Sequence, residues 1–388
     1  MNQADLRLLS SRPERPGASV LSVYLDVDQS RQANLNRGFE KQLKEMMGSL
    51  RETIHGLSEL ERFRNSAHHI EDFVSSYKIG ARSLVMFFDE SDGFFWHEDL
   101  QVSVENQARW NRELFLQPLA AAMDESETYA IVMVGQESLR LFVVSLGEIE
   151  ELVEETFRSR EVRRHIRTVG TNHVGSAGQV QRKANGRIRW NLRHIAEDVD
   201  WLLQSKQIGR LMLAGTPEVM AELRTLLPKR LASRVIGSVD ISTDALPEKV
   251  LSATQRAAEK YERGTELELV DEVVREAAKT QKAVTGLGRT LKAVNQARVW
   301  RLIYSDEFRT AGFECQKCAA LFSVERESCH YCGASVRAVT DVVEHAIEHA
   351  LRKGAKIEVV KGAASESLIN AGGIGAFLRA GTEVSMCG

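Results

Sequence analysis

The chain has 388 residues, of which 43% are hydrophobic and 27% charged, enough for two or three separately cored domains of a soluble globular protein. No stretch approaches the roughly 18–20 apolar residues of a membrane span, and the start, MNQADLRLLSSRPERPG, lacks the basic and apolar regions of a signal peptide, so a cytoplasmic monomer without membrane association is expected. The net charge of −3 excludes polyanion binding by bulk charge, yet charge is uneven: 158–193 is rich in Arg and Lys, while 147–156, GEIEELVEET, is an acidic run. A single charge run is usually a solvated face, although a local basic stretch also suits phosphate.

In chain order, VLSVYLDV (20–27) has the β-branched and aromatic content of a strand. Phe39, Leu43, Met46, Met47 and Leu50 fall at helical spacing and predict a long helix over about 36–57. SLVMFFD (83–89) reads as a buried strand, followed by a turn and FFWHED. A first α/β domain therefore covers 1–125. A second, 126–268, opens with YAIVMVG (129–135) and LRLFVVSLG (139–147), joined by the short polar QES as a hairpin. Ile188, Leu192, Ile195, Val199 and Leu202 form one apolar helical face. IGRLMLAG (208–215) is a buried strand, TPEVMAELRTLL a helix with Thr216 as N-cap and Pro217 at its first position, and VIGSVDIS (235–242) another strand. The third domain, 269–388, follows a helical run over about 247–280. It contains a Gly-rich turn, helix and strand in VTGLGRTLKAVNQARVWRLIYSD, a helix over 341–352, the strand KIEVV and the late NAGGIGAFLRA. The fold class is α/β multidomain: three α/β domains, with a zinc-ribbon minidomain inserted in the third.

That insert, 313–334, carries CQKC (315–318) and CHYC (329–332). Each C-x2-C pair forms a knuckle placing two thiolates on one side of a metal. Cys315, Cys318, Cys329 and Cys332 together make a closed four-cysteine site for structural Zn2+. A pair of disulfides is the rival, disfavoured in a reducing compartment. With four ligands the metal keeps no open position, so zinc catalysis is not expected. His330, inside the second knuckle, reads as a packed or exposed histidine, and Cys387 is a tail residue.

HVGSAGQVQRKANGR (173–187) is a small-residue tip on a cationic stem. Gly175, Ala177 and Gly178 leave the backbone nearly bare, and glycine permits close approach of another molecule. Gln179 offers an amide. His173 precedes the tip, and Arg182, Lys183, Arg187, Arg189 and Arg193 follow it as candidate RNA contacts. On residue chemistry alone a surface loop explains this as well. TGLGRT (285–290) lacks the Gly-Lys-Ser/Thr ending of a P-loop and reads as a helix N-terminus. His345 and His349 stand i,i+4 but without an evident third ligand, which suggests an exposed helical face. Trp190 and Trp201 read as packing residues, with stacking on RNA as the alternative.

From about 128 onward the chain resembles the archaeal and eukaryotic class I release factor and Pelota family, and especially its bacterial relatives. The resemblance is carried by the order of YAIVMVGQESLRLFVVSLG, GSAGQ, RIRWNLRHIAEDVDWLL, RLMLAGTPE, GLGRTLKAVNQARVWRLIY, the cysteine insert and GGIGAFLR. It implies that the loop is a Gly-Gly-Gln-type tip, which in release factors enters the peptidyl transferase centre and promotes attack of water on the peptidyl-tRNA ester. Gly178 and Gln179 match the tip's last two residues and Ala177 replaces the first glycine, a change that costs roughly 1 kcal/mol if a left-handed angle is needed. Residues 1–125 contain neither the Asn-Ile-Lys-Ser nor the Tyr-Cys stop-codon motif. The resemblance thus implies a codon-independent A-site factor in ribosome hibernation or rescue. Its implied partners are rRNA, peptidyl-tRNA and a translational GTPase. The alternatives are a peptidyl-tRNA hydrolase acting through Gln179, and an RNA-binding adaptor off the ribosome.

Overall fold

The computed structural model describes residues 3–12, 19–135, 138–156, 199–201, 203–280 and 282–379. They fall into two compact units, one of Met1–Glu125 with Arg263–Gly388 and one of Ser126–Glu262.

The first unit holds two main sheets. One is β1 (Val20–Asp26), β2 (Ser83–Asp89), β3 (Phe94–Leu100) and β4 (Gln107–Asn111), antiparallel in the order β3-β2-β1-β4. Every residue of β1 and β2 is buried, which is why these two read as continuous apolar runs rather than as alternating strands. Phe39, Leu43 and Met47 of helix Gly38–Thr53, with Phe63, Ile70 and Val74 of helix Leu57–Ser76, cover one face. On the other face Tyr24 packs edge-on against Phe87 and Phe115 and donates to the Phe115 carbonyl at 2.6 Å.

The expected helix over 36–57 is shorter at both ends. It starts only after a 3-10 turn (Gln32–Arg37) in which Asn36 and Arg37 take positive φ of 52° and 62°. It stops at Thr53, and Gly56 leads into the second helix.

The other sheet of this unit has β10 (Ala283–Thr285), β11 (Val299–Ser305), β15 (Lys356–Val360) and β16 (Ile374–Leu378) in the order β10-β16-β11-β15. Only β11 and β15 run parallel. Val273, Ile303, Val360, Leu368 and Phe377 form its core. A small three-stranded sheet interrupts it between β11 and helix Val342–Arg352: β12 (Gly312–Cys315), β13 (Leu321–Phe322) and β14 (Val336–Val339).

The second unit is one five-stranded mixed sheet of β5 (Tyr129–Val134), β6 (Ser138–Ser145), β7 (Glu148–Thr156), β8 (Arg210–Gly215) and β9 (Val235–Asp240), ordered β7-β6-β5-β8-β9. The β5–β6 hairpin is antiparallel as expected, and β5, β8 and β9 are parallel. Alternate residues of β5 feed two cores. Ala130, Val132 and Val134 pack with Leu213 and Leu223, and Tyr129, Ile131 and Met133 with Met212 and Val250.

The acidic run 147–156 is not simply a solvated face: most of it is the edge strand β7. Glu148 and Glu150 point outward while Ile149 is partly buried. A bulge at Leu141/Phe142 then moves Leu152 to the other core. Pro217 begins the helix Pro217–Leu226 at the predicted place, with Thr216 as N-cap.

Candidate functional site

The segment 157–198 carries His173, Gly175, Ala177, Gly178, Gln179, Arg182, Lys183, Arg187, Arg189, Trp190 and Arg193, and it lies outside the described residues. Its two stems are described. On the leaving side, β7 is locked to β6 by Arg140. The Nε and Nη2 of Arg140 donate to the two carboxylate oxygens of Glu151 at 2.7 and 2.9 Å. Its Nη1 donates to the carbonyls of Thr243 and Ala245 at 3.0 and 2.7 Å. With Arg140 only 9% exposed, this fork-to-carboxylate pair fixes strand register and the loop after β9 together. On the returning side, Val199 and Leu203 are fully buried in the core shared with Leu141 and Leu213.

Trp201, expected to pack, is instead 71% exposed, because the apolar stripe of this helix runs through 199 and 203 and leaves 201 on the outside. At the end of β8, Gly215 has φ +137°, and a Cβ there would stand 2.3 Å from the Val134 carbonyl oxygen. The β5–β8 approach at this edge therefore requires glycine.

The cysteines are brought together as the spacing predicts. All four are free thiols. The Sγ atoms lie within 4.8 Å of one another, with Cys315 and Cys332 at 3.4 Å and Cys318 and Cys329 at 3.6 Å. Four thiolates held about 2.3 Å from one ion put neighbouring sulfurs about 3.8 Å apart, whereas a disulfide needs about 2.05 Å. The set fits a tetrahedral metal site, not two disulfides.

Each knuckle turns a backbone N–H toward sulfur: Cys318 N–H reaches Cys315 Sγ at 3.5 Å, and Tyr331 N–H reaches Cys329 Sγ at 3.4 Å. Burial works against ionisation of Cys315, but the backbone N–H groups of Cys318 and Lys317 and the neighbouring sulfurs bring its thiol down to about 6. Burial, reinforced by the three other sulfurs, pushes Cys318 up to about 12. Among the described residues this is the one cluster of three or more potential metal ligands.

The sequence reading missed what anchors this unit. Glu314, next to Cys315 on β12, is 7% exposed. It accepts from Arg337 Nε and Nη2 at 3.1 and 2.6 Å and lies 3.4 Å from Nδ1 of His345. Burial opposes the charge, but His345 and then Arg337 overcome it and bring the Glu314 carboxyl down to about 2. Burial lowers His345, but Glu314 outweighs it and raises the imidazole above its ordinary value.

The exposed histidine face expected at 345 and 349 is corrected accordingly: both are partly buried, and His345 ties the helix Val342–Arg352 to the cysteine unit. A Cβ on Gly312 would stand 2.6 Å from Val342 Cβ, so the strand leading into the first knuckle lies directly on that helix. His330 lies at the surface against Tyr331, ring centroids 4.0 Å apart and the rings tilted by 39°, and all four ligand positions belong to cysteines. TGLGRT is a helix start, as read: Gly286, at φ +84°, is the N-cap of helix Leu287–Asn295.

Residues 115–259 match the sequence profile of bacterial archaeo-eukaryotic release factor family 10. No curated protein matches. Among solved structures, the archaeal translation termination factor aRF1 is similar at 16% identity, with 98% of each chain covered and a TM-score of 0.26. Dom34 of S. cerevisiae, described as a translation termination-like factor interacting with Hbs1, is similar at 11% identity over 78% of this chain and 87% of its own, with a TM-score of 0.40. A ribosome-bound archaeal Pelota is similar at 12% identity over 97% and 94%, with a TM-score of 0.39.

Proposed function

We propose that this chain, a relative of the archaeo-eukaryotic release factors, is a ribosome-associated translation factor that occupies the A site without reading a codon, in hibernation or rescue. The observation that carries the reading is the family match over 115–259. It brackets the small-residue loop with Gly178 and Gln179 and includes both described stems of that loop. The codon-independent part rests on residues 1–125, which hold neither stop-codon motif and no cysteine. The basic residues from Arg182 to Arg193 supply phosphate contacts, whose strength falls steeply with salt. A translational GTPase is the expected protein partner. The four-cysteine site takes Zn2+, the ion suited to a closed tetrahedral thiolate set, and the ion serves structure. It cross-links the two knuckles and so stiffens the surface beside helix Val342–Arg352.

Co-sedimentation with 70S ribosomes at moderate salt tests the reading: the protein pellets with ribosomes, and Arg182→Glu with Lys183→Glu releases it. Failure of the wild type to pellet refutes it. A second reading, peptidyl-tRNA hydrolysis, is favoured by one observation, the retained Gln179 beside Gly178. It requires peptide release from stalled complexes that Gln179→Ala abolishes while pelleting persists. The absence of release by wild-type protein removes it.

A further inference from the structure

We propose that the cleft between helix Leu287–Asn295 and the cysteine unit is a binding site for one nucleotide, either an unstacked residue of single-stranded RNA or a free mononucleotide. The cleft measures about 390 Å³, within the range of small-ligand pockets. One wall is aromatic. Phe322, 5% exposed, is the base of a three-ring cluster, with its centroid 5.3 Å from that of His330 and 6.3 Å from that of Tyr331, the latter at an interplanar angle of 24°. Tyr331 and His330 are exposed at the mouth.

The rim is cationic. Lys292 and Arg326 both line the cleft and both are exposed, the Arg326 guanidinium lying 5.4 Å from the Phe322 centroid. The lining residues, among those described, include no carboxylate. A flat ring for stacking beside cations for a phosphate is the chemistry of a nucleotide. Stacking accepts any base, and an Arg or Lys at the edge takes the backbone charge.

The wall is held in place independently of any ligand. The side-chain amide of Asn295 donates to the Leu321 carbonyl at 2.8 Å and accepts from Leu321 N–H at 2.9 Å, clamping the helix to β13. Gly288 lets the chain after β13 close in, since a Cβ there would meet Ser323 Oγ at 3.3 Å. This site goes beyond the ribosomal reading and stands whether or not the chain meets a ribosome.

Photo-crosslinking tests it on the full chain, with a decaribonucleotide carrying 4-thiouridine in one arm and 4-thiouridine monophosphate in the other. The expected result is label within 318–337, mapped by mass spectrometry, displaced by unlabelled decaribonucleotide in the first arm or by AMP or UMP in the second, but not by ribose 5-phosphate. Lys292→Ala with Arg326→Ala lowers the yield about tenfold, and Tyr331→Phe retains it. The metal content of each variant, measured in parallel, shows that the cysteine unit is intact. Label from the oligonucleotide alone assigns the site to RNA, and label from the mononucleotide alone assigns it to free nucleotides. The proposal is overturned if neither labels 318–337, if ribose 5-phosphate competes as well as AMP, or if the double variant labels like wild type. Label confined to 158–193 belongs to the basic loop, leaves the ribosomal reading standing, and also overturns this site.

Discussion

Replacing Glu314 with Gln isolates what the ion cluster does for the cysteine unit. The isosteric change keeps an acceptor for Arg337 and removes the charge that both Arg337 and His345 face. A carboxyl held at about 2 against an ordinary 4.5 corresponds to about 3 kcal/mol at most. Arg337 has a 57% exposed side chain, so solvent and salt screen its share, and about 1–2 kcal/mol is the expected cost, near tenfold in local opening.

The pH window follows from the two directions of shift. Glu314 is depressed, so its contribution is complete above 4.5 and is lost as pH falls toward about 2. His345 is raised, so its contribution is complete below its ordinary 6.5 and is lost as pH rises through the raised value. Both act together between 4.5 and 6.5. Amide hydrogen exchange over 312–322, compared between wild type and Glu314→Gln, reads this locally, and the chemical pH dependence of exchange cancels in the ratio. The variant exchanges about tenfold faster at about pH 5.5, with a smaller gap at about pH 8.5. Equal exchange at both, or a gap that widens with pH, refutes the reasoning.

Three further outcomes are expected. Asp124, 8% exposed and accepting from Val359 N–H at 2.9 Å, has a carboxyl raised well above its ordinary 3.8 by burial and by Glu358. Its contribution is therefore present below 3.8 and lost as pH rises, so Asp124→Asn, which keeps the acceptor, should raise the thermal midpoint near neutral pH but not in acid. Gly215→Ala forces a Cβ to 2.3 Å from a carbonyl oxygen at φ +137° and should cost about 3 kcal/mol or more, measured by urea denaturation of the full chain. Cys318→Ser should lower the bound metal per chain, measured by elemental analysis, and speed its loss to a chelator. Unchanged metal content would remove the four-thiolate reading.

The features legible in the sequence are those whose physical cause is local. β1, β2, β5 and β8 are buried on both faces and announce themselves as unbroken apolar runs. The two knuckles are equally legible, because two residues between cysteines suffice to aim both sulfurs one way, and the fold then brings the knuckles together with Sγ pairs of 3.4 and 3.6 Å between them. Reading failed where a partner distant in sequence decides. The acidic run 147–156 looks solvated until Arg140 is seen to claim Glu151 and a bulge to redirect Leu152. His345 looks like one of an exposed pair until Glu314, 31 positions earlier, is found 3.4 Å away. Trp201, on the same helix, reads as a packing residue, yet Val199 and Leu203 set the buried phase and leave Trp201 71% exposed.

The same distinction bears on the functional loop. The family match covers Gly178 and Gln179, and on the proposed reading what such a tip does would turn on the backbone angle at Ala177 inside a foreign binding site. A left-handed angle there would cost roughly 1 kcal/mol, which matters most to the sub-ångström placement that a hydrolytic water would need. On the proposed reading, such a cost at Ala177 would be tolerated by occupancy and would count against hydrolysis. Ala177→Gly is the substitution that separates the two: it should leave ribosome pelleting unchanged and, if Gln179 is otherwise competent, create or raise peptide release.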